Sequence, residues 1–209
     1  MQSEEEAQEP VPDPSQVRIL SQQRLFDDFF AIDRYVYVQQ NKTGEPSEPV
    51  ARLVFERGDS SAVLPYDPRT QQLVLVKQFR LPAFVRHRCG WLWEMIAGSC
   101  DDERDPAAVA RDEALEEAGY HLGELHPLMS IFPSPGGTSE RIYLFWSDLG
   151  RAERVGPGGG LPKVGEETVA GRFSLTEALG MVRDGIIVDA KTIVVLQHLA
   201  LYKGYPGVE

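Results

Sequence analysis

Cysteine, positive charge and long apolar runs are all scarce in this chain of 209 residues. The two cysteines, Cys89 and Cys100, are too few for a disulfide scaffold and lack the paired spacing of a cysteine-based zinc site. No apolar run approaches the ~18 residues of a membrane span, and the acidic first residues do not resemble a secretory signal. These absences predict a cytoplasmic protein with no membrane partner.

Lys and Arg number 21 against 32 Asp and Glu, which gives a formal net charge of −11. A field of this sign repels the phosphate backbone that dominates nucleic-acid affinity, so we expect no nucleic-acid partner. A small phosphorylated ligand can still bind where a divalent cation and a few arginines reverse the local charge.

Hydrophobic residues make up 42% of the chain, which is enough for a globular core. Residues 1–16 are acidic and proline-containing, and their composition predicts a disordered tail. Residues 17–57 hold short apolar stretches, Phe29–Ile32 and Tyr35–Val38, around a turn signal. They predict a small β segment, and residues 58–209 form the main domain.

The main domain alternates strand and helix signals, which predicts a mixed α/β fold. Asp105, Pro106 and Gly119 stand where a helix places its N-cap, first-turn proline and C-terminal glycine. The other predicted elements are strands over Ser61–Pro65, Leu73–Phe79, Leu125–Phe132 and Arg141–Ser147, and helices over Leu175–Asp184 and Thr192–Tyr202. Glycines at 156–165 predict a loop, in which Gly158–Gly160 would form a flexible lid or linker.

Glu113, Glu116 and Glu117 lie at i, i+3 and i+4 on the helix that follows Asp105, so their carboxylates share one face. Like charges at this spacing are unfavourable, and so are anions at a helix C-terminus. One interpretation is a solvated acidic face. The other is a site for a hard divalent cation such as Mg²⁺, which takes oxygen ligands from a few carboxylates.

The surrounding segment, GSCDDERDPAAVARDEALEEAGY over residues 98–120, resembles the Nudix box. That pattern reads G-x5-E-x7-R-E-U-x-E-E-x-G-U, where U is apolar. Gly98, Ala114 and Gly119 match it in register, together with the three glutamates, and Tyr120 fits the last position loosely.

Two box positions depart from the pattern. Its first glutamate falls on Arg104 and its arginine falls on Asp112. In the family these two residues help to brace the loop against the helix. The resemblance therefore requires a shifted helix start or a substitute pair from Glu103 and Arg111, and the departures open the alternative of a weakened or catalytically silent site.

Segments beyond the box resemble the ADP-ribose pyrophosphatase branch of the family, over about Leu20–Leu201. They are FERG at 55–58, VKQFR at 76–80, EMIAG at 94–98 and SPGGTSER at 134–141. The resemblance implies a Nudix α/β/α sandwich with a mixed sheet. It also implies a homodimer in which the N-terminal antiparallel β segment, 17–57, is the dimerisation segment.

Site residues follow from the resemblance, position by position. Glu113, Glu116, Glu117 and the backbone carbonyl of Ala97 would bind Mg²⁺, with Mn²⁺ as an alternative, and Glu113 would share in catalysis. Glu167 matches the late glutamate that is proposed to act on the attacking water, and Glu166 is its fallback; two loop acids without a role are the alternative. Substrate contacts would come from Arg52, Arg57, Arg80, Phe29, Gly98, Ser134 and Glu140, although a core position for Phe29 and Phe30 is an equal alternative.

The resemblance implies Mg²⁺-dependent hydrolysis of ADP-ribose to AMP and ribose 5-phosphate. Three alternatives remain at this level. They are a hydrolase of another nucleoside diphosphate sugar such as GDP-mannose, an ADP-ribose-binding protein with little activity, and an acidic interaction module that Mg²⁺ would not stabilise.

Overall fold

The computed structural model describes residues 16–100, 104–161 and 165–201. They divide into two compact units. The smaller unit contains the described residues through Arg57 together with Gly136–Ser139, and the larger contains Gly58–Pro135 and the described residues from Glu140 onward. The predicted tail lies outside the described residues, apart from Gln16.

The smaller unit is an antiparallel sheet of three strands in the order β1-β2-β3. Its strands are β1 (Val17–Asp27), β2 (Ala31–Gln39) and β3 (Val50–Glu56). The turn signal between β2 and β3 is confirmed, since the Asn41 side chain accepts hydrogen bonds from the backbone of Thr43 and Glu45, both at 3.0 Å. Phe29 was predicted inside a strand, but it lies in the turn between β1 and β2.

A seven-stranded mixed sheet forms the centre of the larger unit. Its main order is β12-β5-β4-β10-β9, with β6 paired to β5 and β7 paired to β4. Only β4 and β10 run parallel within this ladder. The strands are β4 (Ser60–Asp67), β5 (Gln72–Phe79), β6 (Trp91–Glu94), β7 (Ile96–Ser99), β9 (Leu125–Ile131), β10 (Ile142–Asp148) and β12 (Thr168–Ser174); β8 (Tyr120–His121) and β11 (Glu153–Arg154) pair separately.

Alternating side chains of the sheet build two cores, one on each face. Leu64, Leu73 and Leu75 pack with the helices α3 (Leu175–Arg183) and α4 (Ala190–Leu201). On the opposite face, Val63, Val74 and Val76 pack with Ala110 and Ala114 of α2 (Pro106–Ala118). Helices therefore cover both faces of the sheet, which confirms the predicted α/β/α sandwich.

Helix α2 has the predicted ends. The Asp105 carboxylate accepts the backbone N–H groups of Ala107 and Ala108, at 3.4 and 3.2 Å. Gly119 takes a φ of 73°, and its N–H closes the last turn on the carbonyls of Ala114 and Leu115. A short helix that the sequence patterns did not predict, α1 (Leu81–His87), joins β5 to β6.

No helix in the described part of the chain is long and apolar enough to cross a membrane.

Candidate active site

The carboxylates of α2 face the backbone of β7. Glu117 is only 3% exposed, and its Oε2 accepts a hydrogen bond from the Ala97 N–H at 3.2 Å. This contact joins two predicted metal ligands, Glu117 and Ala97, which lie 20 residues apart in the sequence. Strand β7 and helix α2 thus bring together the residues that the box motif singled out.

Gly98 leaves the space that Glu113 occupies. A Cβ built on Gly98 would lie 1.9 Å from Oε1 of Glu113 and 2.6 Å from its Cγ. Any side chain at position 98 would therefore displace the Glu113 carboxylate. The glycine of the motif is needed for this close approach of strand and glutamate.

The segment Gly156–Gly160, which we call the glycine loop, follows β11 and caps the C-terminal end of α2. Gly159 and Gly160 donate their N–H groups to the carbonyls of Glu117 and Glu116, both at 3.1 Å. The buried Thr168 hydroxyl donates to the Glu117 carbonyl at 2.9 Å. The prediction that Gly158–Gly160 is a flexible lid or linker is wrong, because this segment satisfies carbonyls that a helix end leaves without partners.

Burial and mutual repulsion make the α2 carboxylates difficult to ionise. Burial, followed by repulsion from Glu116 and Glu166, raises the pKa of Glu113 to about 7. Burial and the charge of Glu113 raise the pKa of Glu117 to about 8, although the Ala97 N–H and Arg80 act in the opposite direction. Burial and Glu166 also raise the pKa of Glu116. This is not a solvated acidic face, since Glu117 is buried and bonded to the backbone of β7.

Of the two loop glutamates, Glu166 lies nearer the α2 carboxylates. Its charge acts on Glu113, Glu116 and Glu117, and its Oε1 accepts a hydrogen bond from the buried Gln78 amide at 3.1 Å. Glu167 is exposed and lines a small cleft with Gln78, Phe79, Trp91 and Gly165. The structure therefore groups the fallback residue with the metal-site candidates, and the role of Glu167 stays a prediction.

Arg104 and Asp112, the two residues that depart from the box pattern, form an ion pair with each other. The predicted need for a substitute pair from Glu103 and Arg111 is wrong, because the aligned positions themselves are paired. The Arg111 guanidinium donates to the Ala107 carbonyl of its own helix at 3.3 Å, while Glu103 lies outside the described residues. Loop and helix are thus connected at the positions that the family uses.

Arg80 is held by the buried Glu94 in a two-pronged ion pair. Its Nε and Nη2 donate to the two carboxylate oxygens, each at 3.0 Å. Glu94 also accepts the Lys191 ammonium at 2.7 Å. The positive charge of Arg80 reaches Glu117 and opposes the rise of its pKa, so the predicted phosphate-binding arginine lies close to the α2 carboxylates. The sequence analysis assigned no role to Lys191 and quoted Glu94 only as part of the EMIAG segment, because their contact joins residues 97 positions apart.

The other predicted substrate residues are divided between the units. In the larger unit, Glu140 is buried and its Oε1 accepts the Ser60 hydroxyl at 2.7 Å, while Ser134 is exposed. In the smaller unit, Arg52 is exposed on β3, and the Arg57 guanidinium lies over the Phe30 ring, 5.4 Å from its centroid.

Phe29 is not a core residue, since it is 85% exposed. Its ring contacts Phe30, with centroids 4.6 Å apart. The neighbouring Phe30 packs on Phe55 at 5.1 Å within the smaller unit. Phe30 thus has the packing role, whereas the ring of Phe29 is exposed and its part in substrate binding stays a prediction.

The donor set fits a hard divalent cation. Carboxylate oxygens on one side of α2 and the Ala97 carbonyl are the oxygen ligands that Mg²⁺ prefers, and a cation would relieve the repulsion that raises the carboxylate pKa values. Among the described residues, no three His, Cys, Asp or Glu side chains are already grouped as a metal site. Binding would therefore draw the glutamate side chains together.

Comparison with known proteins identifies the family and several relatives of this chain. The NUDIX domain matches residues 56–193. A GDP-mannose pyrophosphatase of Pectobacterium atrosepticum is 35% identical over 192 residues, which cover 91% of this chain and 97% of the relative. An ADP-ribose pyrophosphatase of Escherichia coli K12 is 34% identical over 186 residues, covering 89% and 88%.

A crystal structure of an ADP compounds hydrolase matches with a TM-score of 0.68 over 88% of this chain and 92% of that chain. At 14% sequence identity, this match concerns the fold alone.

Proposed function

The chain belongs to the NUDIX family and is a pyrophosphohydrolase of nucleoside diphosphate sugars; we propose that it hydrolyses ADP-ribose to AMP and ribose 5-phosphate with Mg²⁺. The observation that carries the metal-dependent hydrolysis is the cluster of α2 carboxylates, where burial and repulsion raise the pKa to about 7 for Glu113 and about 8 for Glu117. An isolated cluster of this kind costs stability, and a divalent cation removes that cost.

We assign the metal to Glu113, Glu116, Glu117 and the Ala97 carbonyl. Bound there, Mg²⁺ would neutralise the pyrophosphate and lower the pKa of a coordinated water. Mn²⁺ has the same preference for oxygen ligands and is the alternative. Gly98 lets Glu113 lie close to β7, and the glycine loop caps the end of α2, so the backbone that carries Glu113 and Glu117 is held in place.

Glu166 is the group that we propose to accept a proton from the attacking water. The Gln78 amide donates a hydrogen bond to its side chain at 3.1 Å, and its charge acts on all three α2 carboxylates, which places it beside the metal-site candidates. Glu167 keeps this role as the alternative. Substitution of each residue by Gln, measured as kcat, separates the two assignments, since the true base loses far more activity.

Arg80 is placed to bind a phosphate oxygen of the substrate. Two of the five N–H donors of its guanidinium are used by Glu94, which leaves three for the pyrophosphate. Arg52, Arg57, Phe29, Ser134 and Glu140 remain predicted substrate contacts. The homodimer with an exchanged N-terminal segment and the cytoplasmic location also remain predictions.

GDP-mannose is the second candidate substrate. A GDP-mannose pyrophosphatase of Cronobacter sakazakii is 37% identical to this chain over 186 residues, which is no less similar than the ADP-ribose pyrophosphatase of Escherichia coli. The two substrates share a pyrophosphate and differ in base and sugar. The α2 carboxylates and Arg80 serve both equally well.

A substrate panel tests the proposal. Purified protein is given ADP-ribose or GDP-mannose, with Mg²⁺ or with a chelator, and phosphate is measured after treatment of the products with a phosphatase. A higher kcat/KM for ADP-ribose, lost with the chelator, supports the proposal. A preference for GDP-mannose shifts the assignment to the second candidate, and no turnover of either substrate overturns both.

A further inference from the structure

Lys191 is a buried cation near the start of α4 that the proposed chemistry does not use directly. It is 8% exposed, and its ammonium donates to Glu94 at 2.7 Å and to Asp189 at 2.9 Å. A buried ammonium is costly unless it is paired. Here both partners are carboxylates, so the side chain is charged and its position is tightly defined.

Glu94 passes this constraint to Arg80. The Glu94 carboxylate is 3% exposed, and one of its oxygens accepts both Lys191 and Arg80 Nη2, while the other accepts Arg80 Nε. With Lys191 on one side, the carboxylate plane cannot turn without breaking a bond. The plane of the Arg80 guanidinium is then fixed as well, because a two-pronged pair is planar.

The same end of α4 fixes the backbone beside Glu94. The Thr192 hydroxyl donates to Asp189 at 2.6 Å and accepts the Met95 N–H at 2.8 Å. Met95 lies between β6 and β7, two residues before Ala97. Two consecutive helix residues, Lys191 and Thr192, therefore hold both the side chain of Glu94 and the strand on which it sits.

A gain in stability is a poor explanation for the network of Lys191, Glu94 and Arg80. Buried ion pairs contribute little net stability, because desolvation offsets their attraction, and apolar residues of similar volume serve as well or better. What a buried pair supplies is geometry. Arg80 lies at the exposed end of the network, with 38% of its side chain accessible, and it is the group that would meet substrate.

We propose that Lys191 is a positioning residue for substrate binding, which holds Arg80 through Glu94 so that the free guanidinium N–H groups meet a phosphate oxygen. The inference rests on the proposed function, in which Arg80 binds the pyrophosphate. Lys191 itself touches neither substrate nor metal.

The test is a double-mutant cycle between Lys191→Met and Arg80→Ala, with Lys77→Met as the matched control. Lys77 lies on β5, where its ammonium faces the Trp93 ring. KM and kcat for the preferred sugar nucleotide are measured, together with the affinity for Mn²⁺ in the absence of substrate. Circular dichroism confirms that each variant is folded at the assay temperature.

We expect Lys191→Met to raise KM at least tenfold while kcat changes less than threefold and Mn²⁺ affinity is unchanged. In the Arg80→Ala background the same substitution should change KM less than twofold, and Lys77→Met should have no effect. Equal effects of Lys191→Met in both backgrounds, or a fall in kcat and Mn²⁺ affinity with KM unchanged, would overturn the inference.

Two further measurements keep the test decisive. If Lys191→Met does not fold, Glu94→Gln replaces it, with the same expected rise in KM and the same masking by Arg80→Ala. If the wild type turns over neither substrate, the proposed function has failed, and ADP-ribose affinity measured by calorimetry takes the place of KM. A tenfold loss of affinity that Arg80→Ala masks then supports the positioning role alone, and no loss overturns it too.

Discussion

Arg104 and Asp112 form an ion pair that spans eight residues, from the loop before α2 to the middle of the helix. The Nudix pattern has a glutamate at the first position and an arginine at the second. The pair is therefore retained with its charges exchanged. Arg104 also acts on Glu113, whose pKa it lowers against the effect of burial, so the exchanged pair places a positive charge within reach of a metal-site candidate.

Reversing one charge should impair the enzyme, and reversing both should restore it. Arg104→Glu places two acids side by side and removes the cation near Glu113, so we expect kcat/KM to fall about tenfold. The double variant Arg104→Glu/Asp112→Arg recreates the family pattern and should recover most of that loss. Both side chains are about half exposed or more, so each change should shift stability by less than ~1 kcal/mol. The readout is kcat/KM with thermal melting alongside.

Arg111→Ala is the control for this pair, because Arg111 is exposed and, among the described residues, its hydrogen bond goes to the Ala107 carbonyl of its own helix. Activity of the double variant no better than that of Arg104→Glu would show that the exchanged pair does not replace the family brace.

Gly98→Ala should reduce activity with little loss of stability. The new Cβ would lie 1.9 Å from Oε1 of Glu113, and this carboxylate is the mobile end of a side chain that can turn away. We expect a fall of at least a hundredfold in kcat with Mg²⁺ and a melting temperature within a few degrees of wild type. Retained activity would show that the Glu113 position seen here is not the working one.

Local sequence signals were sufficient to predict α2, but they did not predict contacts between residues that are distant in the sequence. Asp105, Pro106 and Gly119 define the helix ends through neighbouring residues, so the sequence predicts them well. The bond between Lys191 and Glu94 joins residues 97 positions apart, and no pattern within either element signals it. The role of the glycine loop was predicted wrongly for the same reason, since it depends on carbonyls at the end of α2.

The site residues were also predicted well within one helix and poorly in a loop. The resemblance singled out Glu113, Glu116 and Glu117, because the box places them in register on one helix. It ranked Glu167 above Glu166, which depends on the conformation of a loop. A shift of one residue along a loop changes which side chain faces the site. The hydrogen bond of Glu166 with Gln78 and its charge on the α2 carboxylates could not be read from the sequence.

Gly158→Ala should destabilise the protein through α2. Gly158 takes a φ of 70°, and a Cβ there would lie 2.5 Å from the Glu117 carbonyl oxygen, which is backbone and cannot move aside. We expect a cost of about 1–3 kcal/mol from strain and the lost cap, measured by denaturant unfolding. Gly156→Ala is the matched control, since a Cβ at Gly156 meets nothing within 4 Å. Equal, small effects of the two substitutions would contradict the capping role.

Stability without metal should fall as the pH rises. Glu113 and Glu117 have folded-state pKa values of about 7 and about 8, above the ordinary value of 4.5. Their protonated forms therefore stabilise the fold below about pH 4.5, and this contribution is lost as the pH rises through about 7 to 8. Thermal melting with a chelator should show the decline, and Glu113→Gln/Glu117→Gln should flatten it.

Mg²⁺ should reverse this trend. The cation competes with protons for the same carboxylates, so its stabilising effect grows with pH. We expect a larger rise in melting temperature on adding Mg²⁺ at about pH 8 than at about pH 6. An equal rise at both pH values would place the bound cation elsewhere.

In the proposed function, the α2 carboxylates hold the divalent cation for pyrophosphate hydrolysis. Its most direct test is the Mg²⁺-dependent turnover of ADP-ribose and GDP-mannose by wild type, by Glu117→Gln and by the control Glu153→Gln, whose side chain is exposed on β11. We expect a fall of at least a thousandfold in kcat for Glu117→Gln, weaker binding of Mn²⁺ by the same variant, and wild-type behaviour for the control. Wild-type turnover by Glu117→Gln would contradict it.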